Sequence, residues 1–113
     1  MRIIFALAVA ATLLSVARAA ELTPAQVQGQ QLFRARCGYC HLFGGTGTIM
    51  LARRLGDKDS LLENRADLDA GYIRTVVRGG LRSMPALTRV EVTDAELAAI
   101  AAYLTRAREA PAQ

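Results

Sequence analysis

Cys37-Gly38-Tyr39-Cys40-His41 is the stretch from which the rest of the chain can be read. It is a C-x-x-C-H pattern, the spacing of covalent haem attachment. Two thiols on one short turn can add to the two vinyl groups of a haem. His41, next in line, is then placed to bring an imidazole nitrogen to the iron. The rival readings need residues the chain lacks. A thioredoxin-like dithiol needs a βαβ context, and no segment shows convincing strand alternation. Structural zinc takes four protein ligands, whereas the chain has two cysteines and one histidine in all. A disulfide in a plain helical domain is the blander alternative.

Working outward from the motif, three helices can be read. The first opens at Thr23-Pro24-Ala25-Gln26, with Thr23 as N-cap, Pro24 at the first helical position and Gln26 closing a capping box. It is expected to run to about Arg36, with Val27, Leu32 and Phe33 facing inward. The last opens with a second capping box, Thr93-Asp94-Ala95-Glu96, and places Leu97, Ile100, Ala101 and Leu104 on one face. Arg106 and Arg108 near its end suit the helix dipole. Between them Asp69 caps a shorter helix with Tyr72, Ile73, Val76 and Val77 as its apolar stripe, stopped by Gly79-Gly80. Gly44 to Gly47 and Arg53 to Asp67 read mainly as loop, with one helical turn around Ser60 to Asn64. The expected fold is all-α, with three main helices and long loops wrapped around one cofactor.

An iron held by His41 needs a sixth ligand or a deliberate vacancy. His41 is the sole histidine, so a second imidazole from the same chain is excluded. Met50 follows His41 by only nine residues, too few to wrap readily to the far haem face, and is read as packing. Met84 follows it by 43, beyond an intervening helix, and precedes Pro85. A Met-Pro step in an interhelical loop presents a thioether rigidly, because proline restrains its own φ and its neighbour's backbone. Met84 is therefore the expected distal ligand.

Across residues 22–106 the chain resembles the bacterial class I c-type cytochromes, the small monohaem carriers. The matching features are Gly29-x-x-x-Phe33, the Cys37-x-x-Cys40-His41 motif, the Gly-rich loop after it, Met84-Pro85, and Ala102-Tyr103-Leu104. The resemblance implies that Gly29 and Phe33 lie where the first and last helices cross, with Tyr103 packed nearby. It implies one covalent haem c, with His41 as proximal and Met84 as distal axial iron ligand. The family often carries a proline shortly after the motif, whose carbonyl orients the proximal histidine. Here Thr48 stands near that position, so the role is left to the loop and to no named residue.

Residues 1–19 read as an export leader. Arg2 precedes an apolar run, and Ala17 and Ala19 have the spacing that a signal peptidase reads, with cleavage expected before Ala20. Ile3 to Ala17 spans 15 residues, short of the roughly 20 that cross a bilayer. Residues 20–113 then form one periplasmic domain without stable membrane insertion. The net charge of +4 drops to +2 once Arg2 and Arg18 leave, and no basic run carries interleaved aromatics, so nucleic acid is a poor partner. Arg53, Arg54, Arg74, Arg78 and Arg82 cluster around the expected haem loops; one or two could meet the haem propionates, and none is singled out. The reading is a one-electron carrier and not an enzyme. Its expected partners are redox proteins: a flavin or quinone dehydrogenase as donor, a terminal oxidase or another cytochrome as acceptor. A haem enzyme or gas sensor with an open sixth site is the alternative.

Overall fold

The computed structural model describes residues 21–107. The leader expected at residues 1–19, its cleavage site and Arg108 lie outside them. Five α-helices follow one another: α1 (Pro24–Arg36), α2 (Gly38–His41), α3 (Thr46–Leu55), α4 (Ala70–Gly79) and α5 (Asp94–Leu104). Two 3-10 turns, Asp57–Asp59 and Leu62–Asn64, link α3 to α4. The described residues hold no β-strand, only an isolated antiparallel bridge between Leu81 and Met84. None of their helices is long and apolar enough to cross a membrane.

Both capping boxes form as the sequence dictates. The Thr23 N–H donates to Gln26 Oε1 at 2.9 Å, and the Gln26 N–H donates to Thr23 Oγ1 at 3.2 Å. At α5 the same reciprocal pair joins Thr93 and Glu96 at 2.8 and 3.1 Å. Each box satisfies two backbone donors that a helix start leaves open. Asp69 caps α4 by accepting from the Tyr72 N–H at 2.8 Å. Gly80, at φ 74°, stops α4 in a backbone conformation that residues with a Cβ rarely adopt.

The frame is the crossing of α1 and α5. A Cβ on Gly29 would run into the backbone carbonyl of Ala99 and stand 2.9 Å from Tyr103 Cβ, so only glycine permits this approach. One turn on, the Phe33 ring meets that of Tyr103 at 6.2 Å between centroids. Leu97, Ile100, Ala101 and Leu104 are buried, as their spacing requires, and Ile73 and Val77 of α4 close the core. Val27 departs from expectation and is 41% exposed. It lies two residues, about 200° of helix rotation, from Gly29, so burying the Gly29–Phe33 face turns Val27 to solvent.

The second departure is α3. Gly44 to Gly47 and the start of the 53–67 stretch read as loop, yet Thr46 to Leu55 is helical, with Gly45 as N-cap. The glycines here serve close packing: a Cβ on Gly47 would come within 2.8 Å of the Cys40 carbonyl oxygen. Buried Thr48 locks the helix to the motif by donating to the Leu42 carbonyl at 2.8 Å. The helical turn expected near Ser60 to Asn64 is present as Leu62–Asn64.

Candidate functional site

The motif sits where α1 ends. The Cys37 N–H donates to the Phe33 carbonyl at 2.8 Å, closing α1, and the His41 N–H donates to the Cys37 carbonyl at 2.9 Å, closing the single turn α2. Cys37, Cys40 and His41 therefore project from consecutive turns of one helical path, anchored by buried Phe33. All three line a cavity of about 260 Å3. Much of its remaining wall is aliphatic: Leu51, Leu62, Leu68, Ile73, Val76, Val77, Ile100 and Leu104. All four residues of the expected α4 stripe line the cavity; Ile73 and Val77 are also buried in the core, while Tyr72 is 45% exposed.

Met84 and Pro85 line the same cavity. Between α4 and Met84 the chain makes a two-residue turn, Arg82-Ser83. Its ends are paired by the Leu81 N–H donating to the Met84 carbonyl at 3.0 Å and the Met84 N–H donating to the Leu81 carbonyl at 2.9 Å. A Cβ on Gly80 would stand 2.9 Å from the Met84 carbonyl oxygen, so the loop folds back on a residue without a side chain. Beyond Pro85 the segment is clamped again. The Leu87 N–H donates to Val77 O at 2.8 Å. Arg78 donates to the carbonyls of Leu87 and Thr88, both at 3.1 Å, and to Asp94 at 2.8 Å. Arg82 is the sole non-glycine at positive φ among the described residues, at 54°, a conformation that costs an L-residue on the order of 1 kcal/mol.

Met50 lines the cavity too, so the structure brings both candidate methionines to it. They differ in support. Met84 is half-buried and packs against the hydrophobic core. Met50 is 47% exposed and its sulfur accepts from Arg53 at 3.9 Å.

The electrostatics separate the readings of the cysteine pair. Burial, and secondarily the neighbouring Cys40, push the Cys37 thiol up to about 11. A redox dithiol of this spacing works through a depressed thiol pKa, the opposite shift. Both cysteines are free rather than joined to each other. Among the described residues no cluster of three or more histidine, cysteine or acidic side chains could hold a metal unaided. Burial lowers the His41 pKa, keeping the imidazole neutral and its lone pair free. Its Nδ1 is buried without a hydrogen-bond partner. No loop carbonyl among the described residues accepts from it, and the Thr48 hydroxyl donates to the Leu42 and Cys40 carbonyls.

An apolar cavity with two free thiols and a neutral imidazole on one wall, and a tethered thioether also lining it, has the donor set of a covalently held haem. Residues 24–104 match the family described as cytochrome C oxidase, cbb3-type, subunit III. The chain belongs to this cytochrome c family. The cytochrome is 36% identical over 76 residues to cytochrome c6 of Cyanidioschyzon merolae, covering 67% of this chain and 68% of that protein. It is 32% identical over 78 residues to the 4-cresol dehydrogenase [hydroxylating] cytochrome c subunit of Pseudomonas putida, covering 68% of this chain and 58% of that one. No solved structure gives a significant match. The chain is a small class I c-type cytochrome with the all-α fold, and its cofactor is covalent haem c with iron.

Three cationic side chains line the haem cavity of this cytochrome: Arg54, Arg65 and Arg82. Arg65 was not among the arginines that sequence position drew attention to. It lies beyond the apolar segments, and only the fold of the Leu62–Asn64 turn carries it to the cavity. Of those that were, Arg53 and Arg74 do not line the cavity, and Arg78 is committed to the Met84 loop.

Proposed function

We propose that this cytochrome is an exported one-electron carrier in which Cys37 and Cys40 hold haem c through thioethers, His41 is the proximal ligand and Met84 the distal one. The observation that carries the reading is that the Cys37–His41 turn and the Met84-Pro85 step, 43 residues apart, line one apolar cavity. When bound, the haem iron supplies the one-electron couple. The protein contributes by holding its ligands in place. His41 is half-buried and burial keeps its imidazole neutral, ready to donate its lone pair. Met84 is held by the Leu81 bridge before it and by Pro85 after it. Aliphatic walls exclude water, and a thioether ligand in apolar surroundings favours the reduced state.

Residues 1–19 are the export leader of this reading and residues 20–113 its periplasmic domain. A dehydrogenase as electron donor is supported by the likeness to the Pseudomonas putida subunit. Tyr39 and Phe43, 93% and 94% exposed on either side of the motif, offer a small apolar contact beside the haem attachment point, of the kind that transient redox encounters use.

Visible spectra of single variants test the ligand set. His41→Ala is expected to abolish a stable low-spin haem. Met84→Ala is expected to leave the haem attached, to remove the methionine–iron charge-transfer band and to admit carbon monoxide to the ferrous iron. Met50→Ala should match the wild type. If Met50→Ala opens the iron and Met84→Ala does not, the distal assignment is wrong. Carbon monoxide binding by the wild-type protein would favour the open-site reading.

A further inference from the structure

The cation-lined part of the cavity carries an inference that rests on the haem reading above. Haem c is an apolar disc bearing two carboxylates, so its cavity must be apolar and must also answer two negative charges. Three arginines line it, and they are not equivalent. Arg65 already holds Asp67 through two hydrogen bonds, at 2.9 and 2.7 Å. The side chains of Arg54 and Arg82 make no hydrogen bond or ion pair with any described residue. Arg82 differs further in its backbone, being the non-glycine at φ 54° in the turn that delivers Met84. Glycine or asparagine suits that position in a two-residue turn. A strained residue persists where the surrounding structure over-determines it, and such sites cluster where a ligand is clamped.

We infer that Arg82 is the propionate-binding arginine of the Met84 turn, a positioning residue that ties one haem carboxylate to the distal ligand. Arg82 stands two residues before Met84, in the turn that the Leu81–Met84 bridge closes, and lines the cavity. A charge-assisted hydrogen bond from Arg82 to a propionate therefore fixes the same closed turn that holds the thioether. The contact couples the two: while the propionate is held, Met84 stays on the iron; when the contact is lost, competing ligands displace Met84 more readily.

The test uses the full-length holoprotein and its Arg82→Gln, Arg82→Lys and Arg82→Gly variants. Glutamine keeps a polar side chain and the backbone strain but removes the charge; lysine keeps the charge; glycine relieves the strain. Imidazole is titrated against the ferric protein, and the propionate bending vibration is followed by resonance Raman. Arg82→Gln is expected to raise the apparent imidazole affinity about tenfold and to shift the propionate vibration, with Arg82→Lys restoring most of both. If Arg82→Gln matches the wild type in both readouts while Arg82→Gly alone raises imidazole affinity, Arg82 serves the turn only and the inference falls. Failure of the underlying reading looks different. If Met84→Ala leaves imidazole affinity unchanged, the distal assignment falls and the coupling with it. The vibrational shift in Arg82→Gln still decides the propionate contact.

Discussion

At Gly29 a single hydrogen stands where any other residue would put carbon, and the backbone carbonyl of Ala99 occupies that space. Because the obstacle is backbone rather than the end of a flexible side chain, α1 and α5 must separate to admit a methyl group. Gly29→Ala is expected to cost about 3 kcal/mol and to lower the melting temperature of the holoprotein by more than about 10 °C, measured by circular dichroism. Gly79→Ala is the matched control. Nothing lies within 4 Å of its added Cβ and its φ is not positive, so stability should change little or rise slightly. The two glycines are alike in sequence terms, and only the packing around them separates the outcomes.

Helix α5 is held at its start by a cap and near its end by a polar cluster around Tyr103. Thr93→Ala removes the acceptor for the Glu96 N–H and should cost about 1 kcal/mol in chemical denaturation. The Tyr103 hydroxyl donates to Glu63 Oε1 at 2.6 Å and accepts from Gln30 at 3.1 Å, joining the Leu62–Asn64 turn, α1 and α5. The Arg106 guanidinium lies 4.1 Å above the Tyr103 ring and donates to the Tyr103 carbonyl at 2.8 Å, satisfying one of the open acceptors at the helix end. Burial first, and the Glu63 hydrogen bond second, raise the Tyr103 pKa. The folded state therefore keeps a proton that the unfolded chain releases near pH 10. The stabilisation is complete below that pH and is lost as pH rises from there through the folded-state pKa. Tyr103→Phe should cost about 1 kcal/mol at neutral pH and flatten the alkaline fall in stability, read from denaturant midpoints between neutral and strongly alkaline pH.

For the molecule as a whole, the cavity has to be filled. α1 and α5 pack directly on each other, whereas the motif turn, one side of α4 and the Met84-Pro85 step all line the cavity. A chain this short has little other apolar area to bury. Protein made without haem attachment is expected to lose much of its helical ellipticity and its cooperative thermal transition, α4 and the Met84 loop being affected first in hydrogen exchange. A haem-free chain with holo-like ellipticity and a sharp transition would show that the helices suffice alone.

Much of this was legible in the residues because it is local. The Cys37–His41 turn needs only five consecutive positions. Thr23–Gln26 and Thr93–Glu96 satisfy the backbone three residues away, and Leu97, Ile100, Ala101 and Leu104 share a face by the period of the helix. Met84 and Pro85 stood out by their distance from His41 and by the restraint proline imposes. What local rules could not decide was relative placement. Val27 is as apolar as its inward neighbours, and the Gly29–Ala99 approach alone turns it outward. The glycines around Thr46 read as a flexible loop, but contact with the Cys40 backbone makes them the packed start of α3. Equal charge on Arg53, Arg65, Arg78 and Arg82 concealed four different fates. One lies against Met50, one pairs with Asp67 at the cavity, one clamps the Met84 loop, and one lines the cavity from a strained turn. The candidate donor set was thus legible in the sequence, since residue type and spacing along the chain are local properties. Which side chains surround that chemistry was decided by tertiary structure, because it depends on how closely distant backbones approach.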